Sequence, residues 1–236
     1  MAWRARFYQS WPRIQADHPL ARYFHLVLTV PNCDLMELRN TIKAMNRAWN
    51  RMKSRNTWPA IGFVKSVEVT KSAKGLAHPH IHALMMVESG YFSGQEYMNR
   101  DDWRKYWLTA MGIPLESNCI HPFVRAVKGN EDELSKAVME VSKYAVKMAD
   151  LEKTLGRNSG REWFLELDRQ MERSRGVALG GIWAKYMRGD DVEDEELLCQ
   201  EKSLVEDVLS FVQYDWTSEK RAYLRSKIID REEGCQ

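Results

Sequence analysis

The run Ala77-His78-Pro79-His80-Ile81-His82-Ala83-Leu84-Met85-Met86-Val87 restricts the fold of this chain more than any other stretch. A β-strand turns successive side chains to opposite faces, so His78, His80 and His82 project together while Pro79 and Ile81 point away. Imidazoles crowded into an apolar strand are costly to bury unless something binds them, and histidine is the commonest metal ligand among side chains. The pair His80-Ile81-His82 therefore suggests a metal site built into a sheet.

The flanking segments supply that sheet. Tyr23 to Val30 reads as a buried strand, β-branched and aromatic, ended by Pro31-Asn32. Asp34 can cap the helix that follows, in which Leu35, Leu38, Ile42, Met45 and Trp49 form a core stripe. Arg39, Lys43, Arg47 and Arg51 share its other side at i, i+4 spacing. Like charges so aligned repel one another, a cost that phosphates along the same face would relieve. Ile61 to Thr70 is a second strand, expected to neighbour the histidine strand in antiparallel fashion.

Asp101 opens a short helix through Met111, Cys119 to Val127 reads as a strand, and Glu131 begins a helix running to about Leu155. Arg161 to Arg173 is a further helix, Gly176, Gly180 and Gly181 interrupt an apolar segment, and Leu204 to Val212 reads as helical. The order predicts an α+β domain, a mostly antiparallel sheet with helices against one face. Residues 1–160 form the core in this reading, and residues 161–236 a partly helical extension packed on it.

Composition narrows the class. The 236 residues, 44% hydrophobic and 29% charged, are ordinary for a globular protein. No apolar stretch approaches the ~20 residues of a membrane span, and Met1-Ala2-Trp3-Arg4-Ala5-Arg6 lacks the apolar core of a secretory signal. Cys33, Cys119, Cys199 and Cys235 lie far apart, so no disulfide framework is indicated and a reducing cytoplasm fits. Cys119 and His121 can share a strand face and bind zinc with a distant partner; a half-buried cysteine beside an incidental histidine is the plainer reading. The formal charge of +2 conceals a gradient, net +7 over residues 1–56, +2 over 57–129 and −7 over 130–236. Much of the acid lies in residues 190–196. A cationic first half suits a polyanion such as the phosphate backbone, or is simply a solvated face.

Two further groups join the histidines. Glu68 alternates with Val67 and Val69, so its carboxylate points away from them, either as a third ligand or as a solvated strand glutamate. Two imidazoles and a carboxylate leave open positions on a six-coordinate divalent ion, which is the arrangement of a reactive site rather than a structural one. On the long helix, Glu140, Tyr144 and Lys147 fall within an arc of about 60° at ~100° per residue, beside the apolar stripe Ala137, Val141, Ala145 and Met148. A Glu–Lys pair and a stripe-border tyrosine are common structural features of helices; with the histidines, the set reads as catalytic.

His80-Ile81-His82, followed on a later helix by Tyr144-x-x-Lys147, resembles the HUH endonucleases, specifically the plasmid rolling-circle replication initiators with one catalytic tyrosine. Leu26-Val27-Leu28-Thr29-Val30 is similar to that family's first motif and His78 to Leu84 to its second. Glu140, four residues before Tyr144, matches the branch in which a glutamate accompanies the tyrosine. The resemblance spans roughly residues 22–155 and implies an HUH/RRM-like palm. It implies Mn²⁺ or Mg²⁺ held by His80, His82 and Glu68, and Tyr144 attacking the scissile phosphate with Lys147 assisting. It further implies Glu140 activating water to end a round. Single-stranded or hairpin origin DNA is the expected substrate, contacted by Arg39, Lys43, Arg47, Arg51 and His78, and by Trp3, Arg4 and Arg6. With no phosphate-binding G-x-x-x-x-G-K-[ST] loop and no helicase motor, a host helicase and DNA polymerase are expected partners. A conjugative relaxase, a single-tyrosine transposase and a non-catalytic DNA-binding regulator on the same fold are the competing readings. A hydrolase of the H-x-H-x-D-H kind is disfavoured by Leu84 and Met85.

Overall fold

A computed structural model of the chain describes residues 2–117, 120–128, 131–141, 158–172, 177–188, 210–217 and 222–230. The chain divides into two compact units, Met1–Cys199 and Gln200–Gln236.

The first unit is built on a five-stranded sheet: β1 (Arg22–Thr29), β2 (Ala60–Lys71), β3 (Ala77–Val87), β4 (Phe123–Val127) and β5 (Val177–Gly181). The spatial order is β4-β1-β3-β2-β5 and every pairing is antiparallel. The histidine strand β3 is thus central, with Val27 of β1 opposite His82 and Glu68 of β2 opposite His80. β2 and β3 are the neighbours expected. β4 is shorter than expected, because Ile120 to Pro122 are not extended into the ladder and Cys119 lies outside the described residues. Val177–Gly181, in the stretch read as an extension, is an edge strand of the sheet itself.

Helices cover both faces, which corrects the expectation of one. The odd-numbered side chains of β3, Ile81, Ala83, Met85 and Val87, join Phe24, Leu26 and Leu28 under α2 (Leu38–Lys53) and α3 (Arg100–Met111). Leu38, Ile42, Met45 and Trp49 of α2 are all buried there, as their spacing predicts, and Leu167 of α5 (Asn158–Met171) completes the layer. Asp34 caps a single 3-10 turn before α2, accepting from the Met36 amide at 2.9 Å. Asn99 and Asp102 close a reciprocal capping box at the start of α3.

The even-numbered residues of β3 face the other way. Leu84 and Met86 pack with Tyr23, Val64 and Val127 under α1 (Ala2–Asp17), α4 (Glu131–Val141) and α6 (Ile182–Arg188). A β-strand too wide in its polar face could not carry two layers; here the alternation changes from imidazoles to aliphatics halfway along β3, so one end of that face is core and the other is polar. Gly181 has φ +60, and a Cβ there would collide with the Ile61 carbonyl, so only glycine lets β5 turn into α6 beside β2. No described helix is long and apolar enough to cross a membrane.

In the second unit, β6 (Ser210–Thr217) and β7 (Ala222–Asp230) pair as an antiparallel hairpin. Residues 210–212 are therefore extended, not helical as expected; the alternation of Phe211, Gln213 and Asp215 with Val212, Tyr214 and Trp216 has the period of a strand.

Candidate functional site

The polar end of the β3 face gathers the predicted ligands. Glu68 is only 4% exposed, and its Oε2 lies 2.8 Å from Nε2 of His82. A buried carboxylate is costly unless a cation or strong donor accompanies it, and the imidazole of His82 stands beside this one. Yet neither nitrogen of His82 has an aligned hydrogen-bond partner among the described residues. The two atoms are close without being directed at one another. Ligands at right angles on an ion with bonds of about 2.1 Å stand about 3 Å apart, so the pair fits two adjacent positions of a divalent ion by distance and donor type.

His80 lies opposite Glu68 in the register of β3 with β2. Its ring lies 6.0 Å from that of His82 and 4.2 Å from that of His78, and its Nε2 is 3.3 Å from Thr70 Oγ1. No three of the described His, Cys, Asp and Glu side chains converge as they stand.

His78 is half-buried, with Nε2 2.7 Å from Thr29 Oγ1 on β1. Burial pushes its pKa down, favouring the neutral ring. His25 is the residue that sequence reasoning missed. It is 5% exposed on β1, and its ring stacks on that of His82 at 5.5 Å and 22°. Its only sequence signal is that it alternates with Phe24 and Leu26 on the first strand. Seeing that it meets His82 requires the β1–β3 register.

α4 packs on β2, β3 and β4 from this same side, burying Leu134, Ala137, Val138 and Val141. Glu140 is half-buried on that helix. Tyr144 and Lys147 lie outside the described residues, as do the side chains of Trp3, Arg4 and Arg6.

The basic stripe of α2 is not brought to this site. α2 covers the opposite face of the sheet, so Arg39, Lys43, Arg47 and Arg51 lie across it from the histidines. Two of them are tied to helix ends. Arg39 donates through Nε to Gln170 O at 3.2 Å and also to Arg169 O, and Arg51 donates through Nε to Ala110 O at 2.8 Å. Lys43 and Arg47 are exposed.

Glu68 and His82 are near enough, and of the right donor types, to serve as two ligands of one divalent ion. The replication protein family matches residues 1–224. A protein rep from Streptococcus pneumoniae serotype 2 (strain D39 / NCTC 7466) is 30% identical over 193 residues, covering 77% of this chain and 57% of its own length. A protein rep from Lentilactobacillus hilgardii is 26% identical over 211 residues, 86% of this chain and 67% of that protein. One from Staphylococcus aureus is 29% identical over 132 residues, 54% and 55% of the two chains. The chain spans between about half and two thirds of the length of these curated relatives. No solved structure matches. With the family match running over nearly its whole length, this chain belongs to the replication protein family.

Proposed function

We propose that the chain initiates rolling-circle replication of a plasmid as a metal-dependent, site-specific single-strand DNA endonuclease with Tyr144 as nucleophile. The observation that supports this reading most is that His80, His82 and Glu68 share one sheet face with the helix bearing Glu140, in a member of the replication protein family. His80, His82 and Glu68 would hold Mn²⁺ or Mg²⁺, which when bound supplies charge stabilisation at the scissile phosphate. The Tyr144 oxygen attacks phosphorus in line as the bond to O3′ breaks; the phenol loses its proton and the departing oxygen gains one. The products are a 5′-phosphotyrosine and a free 3′-OH. A phenol of ordinary pKa ~10 is a weak nucleophile at neutral pH, and Lys147 offsets this by favouring the phenolate or holding the phosphate.

The phosphodiester energy stays in the tyrosine linkage, so rejoining needs no nucleotide. The 3′-OH primes the host DNA polymerase while a host helicase opens the duplex. Glu140 acts at termination: its carboxylate takes a proton from water as the water oxygen bonds to phosphorus, and the strand departs with a 3′-OH. A paired phosphate is hard to align in line, so the substrate is an unpaired strand or an extruded hairpin at the origin.

The test is a supercoiled plasmid bearing the replicon's origin, incubated with the protein and Mn²⁺. Nicked circles with protein on their 5′ ends are expected, and none with Tyr144→Phe. Absence of the adduct with the natural chain, or its persistence in Tyr144→Phe, overturns the reading. Glu140→Ala should still nick and attach but fail to end a round. Equal loss of both steps removes the division of labour between Glu140 and Tyr144.

A further inference from the structure

We infer that the outer strand β4 is the track along which single-stranded DNA crosses the histidine face, a base stacking on Phe123 and a phosphate held by Arg125. The inference deepens the proposed function and rests on its reading of the substrate as unpaired DNA.

Three observations carry it. First, among the described residues β4 is an edge strand paired with β1, and the β1 register fixes where its side chains fall. Phe123 is opposite Val27, which is opposite His82; Arg125 is opposite His25, which is opposite Leu84. Phe123 and Arg125 thus project from the same face as the histidines, in the row of His82 and the row next to it. Second, Phe123 is 50% exposed, with its ring edge-on to His25 at 6.3 Å. One exposed phenylalanine is unremarkable by itself, since folded surfaces remain largely apolar. This one borders the site and has a cation two residues on, roughly 7 Å along the strand. Third, Arg125 is exposed, and among the described residues it makes no hydrogen bond or ion pair.

An aromatic face beside an exposed guanidinium matches the chemistry of a nucleotide in a single strand. A duplex stacks its bases on one another and hides their π-faces, whereas an unpaired base can lie flat on Phe123 while its phosphate reaches Arg125. The α2 stripe offers charge without this arrangement, and on the other side of the sheet.

The experiment is fluorescence anisotropy of the full chain with a labelled thymidylate oligomer of about 20 nucleotides, in EDTA so that no metal contributes. Phe123→Ala should weaken binding about tenfold, and Phe123→Trp should restore it. Arg125→Gln should lower the slope of log affinity against log salt by about 0.7, the share of one phosphate contact on a single strand. Unchanged circular dichroism and melting accompany these changes, because both side chains are solvent-exposed. Binding unaltered in both variants overturns the track, as does failure of the natural chain to bind the oligomer. So does an equal or larger loss from Arg47→Gln on the far face. Nicking is scored separately: binding through β4 without a covalent adduct leaves the track standing and removes the proposed chemistry. An adduct with normal binding by both β4 variants does the reverse.

Discussion

The contact between His82 and Glu68 sets a chemical question that a single substitution answers. A carboxylate so deeply buried stays only if its local partners outweigh its lost hydration, and retained buried charge commonly serves function at the expense of stability. Glu68→Gln preserves shape while removing the charge. If the carboxylate is there for a divalent ion, Mn²⁺ affinity measured by titration calorimetry falls at least tenfold or so, while the urea midpoint of the metal-free chain is unchanged or higher. A fall of about 1 kcal/mol or more in metal-free stability would instead mark Glu68 as structural. Tyr23 gives the pH counterpart. Burial raises its phenol to about 12, so between the ordinary value near 10 and that point the folded chain keeps a proton the unfolded chain has lost. Stability therefore falls as pH rises through this window, by an amount on the order of 2 kcal/mol at its upper end, and is unaffected below it. Urea unfolding from pH 9 to 12 should show a shallower decline in Tyr23→Phe. That His80 and His82 share one face was legible in the sequence, because strand alternation alone places them there. His25 was not, because its neighbour is set by a register between strands more than fifty residues apart.

At the level of elements, α2 shows what periodicity reveals and what it withholds. The spacing of Leu38, Ile42, Met45 and Trp49 identified the buried side correctly, and the opposite side is indeed basic. Periodicity tells which side of a helix is buried, but not which face of the sheet receives it, and that choice separates the stripe from the histidines. Nor does it reveal the partners of Arg39 and Arg51, which are the terminal carbonyls of α5 and α3. Helix C-termini carry partial negative charge and unsatisfied carbonyls, so a guanidinium there ties two helices together. Arg51→Ala is expected to cost about 1 kcal/mol of stability by urea unfolding, and Arg51→Lys to recover only part of it, since an ammonium cannot reproduce the planar fork. A cost indistinguishable from zero would mean that water replaces the guanidinium at Ala110. Strands β1, β2 and β3 were legible from β-branched and alternating runs. β5 was hidden because its five residues end in two glycines, and it becomes a strand by docking on β2 through Gly180 and Gly181.

In the molecule taken whole, the histidine face and the C-terminal hairpin belong to different compact units. All five strands of the sheet, both helical layers and the histidine face belong to the unit Met1–Cys199. That unit closes through distant pairings, β4 on β1 and β5 on β2, so its cooperativity depends on residues as late as Gly181 and not on a break at 160. A chain cut at 160 would lose an edge strand together with Trp183, which fills the space beneath α1 by packing on Phe7 at 4.5 Å. Cut after Cys199, it keeps every one of these contacts. The second unit is a two-stranded hairpin in fewer than about 40 residues, a size and topology that bury too little surface to hold alone in water. The expected outcome is therefore asymmetric. Residues 1–199 should unfold in urea in one cooperative transition, within about 1 kcal/mol of the full chain, and titrate Mn²⁺ with the same affinity. Residues 1–160 should show neither, and residues 200–236 should give the circular dichroism of an unfolded peptide. If removing the hairpin broadened the transition or weakened Mn²⁺ binding, the boundary between the two units would be one of geometry only, and the histidine face would depend on the whole chain.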